Sequence, residues 1–114
     1  MELVKVTKDD FLNFSGIDLD IEFANGNFET QNMSEVFIKR VQKSLINYLK
    51  SNYPSFKNKL ALNDNELIEE DKSCLFEALL PQILYVLKTS DFDNVCQESY
   101  NILKSGNLIN RYSF

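Results

Sequence analysis

The side chains able to carry chemistry in this chain are few. There are two thiols, Cys74 and Cys96, an acidic run of Glu66, Glu69, Glu70 and Asp71, and a basic set of Lys39, Arg40, Lys43 and Lys50. Histidine does not occur in the 114 residues. Without an imidazole there is no side chain that titrates near neutral pH unaided, no Ser-His or Cys-His nucleophile pair and no histidine-based zinc site. Carboxylates could still work as an acid and base pair, but no motif sets two of them beside a nucleophile. The sequence therefore reads as a non-enzyme, with no catalytic, cofactor-binding or metal-ligating residue assigned.

Cys74 and Cys96 lack CxxC spacing and are too sparse for a secreted disulfide scaffold or a zinc ribbon, so they read as small buried hydrophobes in a reducing compartment. Phosphate-loop, dinucleotide and calcium-loop patterns are missing, as are internal repeats and low-complexity tracts. The opening MELVKVTKDD has no basic stretch leading into an apolar core, and no apolar run approaches a membrane span. The expectation is a chain without signal peptide or membrane segment.

Positioning those groups falls to a small core. With 44% hydrophobic and 25% charged residues, the chain fits one globular domain able to bury roughly 65% of its unfolded surface. Its net charge of −5 is unevenly spread: residues 36–59 hold six bases and no acid, between acidic flanks. A basic middle of this kind suits nucleic acid, an acidic surface on another copy, or plain solvation, while overall acidity disfavours specific duplex binding.

Helical periodicity dominates. Thr7 caps a short helix stopped by Gly16, with Phe11, Leu12 and Phe14 directed at the core. Leu3, Val4 and Val6 form an extended lead-in. Residues 17–33 alternate as a strand would, with a turn signal at Asn25-Gly26-Asn27, and are read as a loop with one helical turn, a hairpin being the other reading. Ser34 caps a long amphipathic helix whose inner face is Phe37, Ile38, Val41, Leu45, Tyr48 and Leu49, ending near Pro54. A linker carries Lys57 and Lys59. Asn63 and Glu66 resemble a capping box opening a second long helix, the central one, which bends at Pro81 without breaking. Gln82 is expected to cap a neighbouring backbone group. A third helix is expected from Asp93 to Ser105, terminated by Gly106. The fold class is all-α: a small bundle of three to four helices with a long central helix and extended terminal arms, residues 1–106 forming the domain and 107–114 a C-terminal arm.

Four stretches carry a likeness: Thr7-Lys8-Asp9-Asp10-Phe11-Leu12-Asn13-Phe14-Ser15-Gly16-Ile17-Asp18-Leu19; Phe37-Ile38-Lys39-Arg40-Val41 with Leu45-Ile46-Asn47-Tyr48-Leu49; Phe76-x-Ala78-Leu79-Leu80-x-Gln82-x-Leu84-Tyr85-x-Leu87; and Ser99-Tyr100-Asn101-Ile102-Leu103-Lys104-Ser105-Gly106-Asn107-Leu108-Ile109-Asn110-Arg111. In order and spacing they resemble the small head-tail connector, or adaptor, proteins of tailed bacteriophages of Gram-positive hosts.

The resemblance implies a non-catalytic virion protein at the head-tail junction, present in the host cytoplasm during assembly. Such proteins form a ring, commonly dodecameric, below the portal, seat the next neck, stopper or tail protein, and surround the channel through which viral DNA passes without sequence-specific binding. No membrane and no cofactor are implied. Asn110, Arg111, Tyr112 and Phe114 would then reach the portal, the other reading of Arg111, Tyr112 and Phe114 being a tail tucked onto its own domain. Lys39, Arg40, Lys43 and Lys50 would meet Glu66, Glu69, Glu70 or Asp71 of the adjacent copy, or face the channel. The competing reading is a small acidic phage-encoded inhibitor or regulator that binds a host protein, and a third is a helical DNA-binding module using residues 39–59.

Overall fold

Thr7 opens the first helix with a reciprocal cap: its hydroxyl accepts from the Asp10 amide at 3.1 Å, while the Asp10 carboxylate accepts from the Thr7 amide at 2.9 Å. The helix that follows, α1 (Lys8–Ser15), ends at Gly16, whose φ of 75° is the left-handed stop that glycine adopts without penalty. A computed structural model describes residues 3–24, 33–62 and 67–113. Among the described residues the chain is all-helical and has no strand.

Among the described residues six more helices follow: α2 (Leu19–Ala24), α3 (Met33–Asn52), α4 (Pro54–Leu62), α5 (Glu69–Thr89), α6 (Gln97–Ser105) and α7 (Leu108–Arg111). Two long helices, α3 and α5, are the framework. The molecule measures 45 × 27 × 23 Å. Its core is formed by Phe11 of α1, Val41, Leu45 and Leu49 of α3, Phe56 and Leu60 of α4, and Leu75, Leu79 and Ile83 of α5, with Leu103 and Leu108 from the C-terminal helices. The α3 face read from its periodicity is the face that packs inward. In α1, by contrast, only Phe11 is buried, while Leu12 and Phe14 are 37% and 46% exposed. A two-turn helix can turn only one narrow stripe toward the core.

Several boundaries differ from the sequence reading for identifiable reasons. The stretch 17–24, read as a loop with one helical turn, is that: residues 17 and 18 lie outside any helix, and Asp18 Oδ1 accepts from the amides of Asp20 and Ile21, capping the short α2. Residues 25–32, with the turn signal, lie outside the described residues. Ser34 sits inside the first turn of α3 and donates to Asp20 Oδ1 at 2.5 Å. The segment 54–62, expected to be a linker, is a helix: Pro54 ends α3 and also occupies the first position of α4, where its missing N–H costs nothing. Phe56 and Leu60, four apart, then share a buried face.

The central helix starts at Glu69 rather than near Asn63, and the Asn63–Glu66 pair lies outside the described residues. It runs unbroken through Pro81. Proline leaves the Glu77 carbonyl without its helical donor. One residue on, the Ala78 carbonyl accepts a 2.7 Å hydrogen bond from Ser99 Oγ, a buried hydroxyl of α6. α6 lies along α5, the most extensive helix pairing among the described residues.

Candidate functional site

The start of α6 shows how side chains take over from the helix ladder. Asp91 Oδ1 accepts from the amides of Asp93 and Asn94, and Gln82 brackets the next turn, donating to Asn94 O and accepting from the Cys96 amide, both at 2.9 Å. These bonds hold residues 91–96 off the helix, so α6 begins at Gln97 and not at Asp93. Gln82 thus spends its amide on backbone groups, as its place on the central helix suggested. Tyr85 donates to Asp91 Oδ2 at 2.5 Å, which with Asn94 holds the Asp91 carboxyl down at about 2. The same bond raises the Tyr85 hydroxyl.

The C-terminal segment, read either as an extended arm or as a tail tucked onto its own domain, is folded back. Asn107 takes a left-handed φ of 66° and redirects the chain into α7, burying Leu108, Ile109 and Tyr112. Gly106 makes the close approach that this path needs: a Cβ there would stand 2.6 Å from Cys74 Sγ. The Tyr112 ring meets Phe56 edge-on at a centroid distance of 5.3 Å. Its hydroxyl donates to Asp71 Oδ2 at 2.5 Å, and Arg111 Nε donates to Asp71 Oδ1 at 2.8 Å. Burial, reinforced by the Asp71 bond, pushes the Tyr112 hydroxyl up to about 12, and the bond to Asp71 raises Arg111.

This geometry sorts the sequence-derived candidates. Asp71 is wholly buried, so it belongs to the core and has no surface to offer an adjacent copy. Tyr112 is 6% exposed and Arg111 is engaged with Asp71, so neither projects from the body as a free arm would. Asn110 is exposed and donates to Asn107 Oδ1. Phe114 and Glu66 lie outside the described residues. Glu69 and Glu70 are exposed on the first turn of α5, with Lys72 and Arg111 respectively at 3.5 and 3.9 Å.

On α3, Lys39, Arg40 and Lys43 are exposed and Lys50 is half-buried. The Arg40 guanidinium stacks over the Phe92 ring at 4.1 Å, and Phe92 in turn packs edge-on against Phe37. Among the described residues no carboxylate lies within ion-pair distance of Lys43, Lys50 or Lys57. The basic middle is therefore an outward surface of α3 and α4.

The sequence reading missed two features. Ser73 and Glu77 extend the acidic outer side of α5, a stripe visible in the four-residue spacing of Glu69, Ser73 and Glu77. Asp20 ties three helices together, accepting from Lys8 at 2.6 Å as well as from Ser34, which lowers its carboxyl and raises the lysine. Nothing local in the sequence announces that convergence.

Other chemistry is sparse. Cys74 is buried, its thiol raised by that burial, and it donates to Ile102 O; Cys96 is half-buried beside Ser99. Among the described residues no group of three or more Cys, Asp or Glu could hold a metal ion, and no helix is long and apolar enough to cross a membrane. A cleft of about 370 Å³ lies between the lead-in and α3, lined by Lys5, Lys8, Asp9, Glu35 and Gln42. Gln42 closes one side of it by donating to Val4 O at 2.7 Å. No family model, curated protein or solved structure matches the chain.

Proposed function

We propose that this chain is a structural subunit of the head-tail connector of a tailed bacteriophage, one copy of a ring seated below the portal and around the DNA channel. The single observation that carries the reading beyond the sequence likeness is the segregation of charge onto different helices of one unit. Bases occupy the outer side of α3 and α4, and acids occupy the outer side of the first half of α5. A ring of identical subunits needs two unlike, complementary faces on each copy, and closes when the rotation per copy divides the circle. A core buttressed by side-chain clamps such as Gln82 and Asp71 gives those faces a fixed relation to each other.

The alternative of an acidic inhibitor is less well served, since a mimic of nucleic acid needs acids along one continuous face, without a basic surface beside it. Deleting the gene from its phage tests the connector reading. The expected result is separate heads and tails that fail to join, with joining restored by the gene supplied in trans. Intact virions from the deletion phage would contradict it.

A further inference from the structure

The outward row of α3 and the outward row of α5 have matching spacing when the helices are laid antiparallel. At 100° per residue, Val36, Lys43, Asn47 and Lys50 fall within an arc of about 60° on α3, and Glu70, Ser73, Glu77 and Leu84 within about 60° on α5. Val36, Lys43 and Asn47 are exposed and Lys50 half-buried, while Glu70, Ser73 and Glu77 are exposed and Leu84 half-buried. Counting along α3 from Val36, the steps are seven, four and three residues; counting backward along α5 from Leu84, they are again seven, four and three.

The geometry points to a helix-on-helix contact between two copies, with Lys43 against Glu77, Asn47 against Ser73, Lys50 against Glu70, and Val36 against Leu84. Each step corresponds to the same rise on both helices, about 10.5 Å between the two charge pairs. Charge complementarity selects a second copy as the occupant. From residue 36 to residue 59 the α3–α4 segment holds six bases and no acid, whereas the flanking parts of the chain are net acidic, so the molecule carries its own complement on a different face. The apolar pair 56% exposed at Val36 supplies an anchor at one end of the row. Because the two faces differ, the contact is head-to-tail and repeats. This inference rests on the connector reading and specifies the surfaces through which copies of the ring meet.

The experiment is disulfide trapping with the full chain. N47C and S73C proteins, each also carrying C96S, are mixed in equal amounts at low salt and oxidised with diamide. A disulfide-linked dimer formed by the mixture, and reduced at least tenfold when K43E and K50E are added to the N47C partner, is the expected result. Adding E70K and E77K to the S73C partner should then restore the dimer, because both rows are reversed together. Failure of that restoration in proteins that keep the helical spectrum of the parent would overturn the pairing. So would no dimer from the mixture while the unmodified chain still forms rings on portal, which leaves the connector reading standing. Trapping without any ring on portal would instead sink the connector reading and leave the contact. A basic row that binds short duplex DNA, with trapping unaffected by K43E and K50E, would also overturn the proposal.

Discussion

Asp71, buried in the first turn of α5, is bonded to Arg111, 40 residues further along the chain, and to the adjacent Tyr112. The carboxylate has no water to return to, so its two C-terminal donors are what make its burial tolerable. The last helix is thereby part of the core.

Removing the donors separately should show this. R111M leaves a buried charge short of its cation and is expected to destabilise the fold by about 3 kcal/mol in urea denaturation, while Y112F costs about 1.5 kcal/mol. Truncation after Gly106 also strips Leu108 and Ile109 from the interior, and is expected to abolish cooperative unfolding. A truncated chain with an unchanged urea midpoint would show that 107–114 is a dispensable arm after all.

The Tyr112 hydroxyl, raised to about 12 from an ordinary value of 10, makes stability depend on alkaline pH. Since the folded-state value lies above the unfolded one, the contribution is complete below pH 10 and is lost as pH rises toward 12. Thermal unfolding followed across that range should fall more steeply for the parent than for Y112F.

At the acid end the sign reverses. Asp91 is held at about 2, below the ordinary 3.8, so its contribution is complete above pH 4 and disappears as pH falls toward 2. D91N should flatten that part of the stability curve and, by weakening the turn before α6, lower hydrogen-exchange protection at Asp93 and Asn94.

Much of this architecture is readable from spacing alone. The inner face of α3, the caps at Thr7 and Gly16 and the continuity of α5 through Pro81 each follow from residues a few positions apart, while Gln82 reads as a backbone cap whose partners, Asn94 and Cys96, lie 12 and 14 positions on. The Asp71–Arg111 pair does not, because sequence marks an acid on a first turn as a dipole partner and carries no sign that a tail will return to cover it. For the tail itself, the apolar Leu108, Ile109 and Tyr112 call for a surface to lie on, but their spacing does not decide between this core and a partner. Pro54 was ambiguous in kind: proline ends one helix and begins another with equal ease, and the pairing of Phe56 with Leu60 decides it.

Gly106 and Cys74 define the tightest joint between α5 and the C-terminal turn. G106A is expected to cost about 1–3 kcal/mol through overpacking, and C74A should recover part of that loss in the double variant, since it removes the sulfur 2.6 Å away but not the Ile102 carbonyl 3.1 Å away. Additive losses would place the strain elsewhere.

The proposal that this chain is a connector subunit built to repeat around a portal is tested most directly by electron microscopy of the purified chain mixed with the portal protein encoded alongside it. The account predicts a closed ring of added density on one end of the portal, with the short helices of each copy at fixed angular intervals. Portal particles without added density, at chain concentrations well above those of the portal, would contradict it.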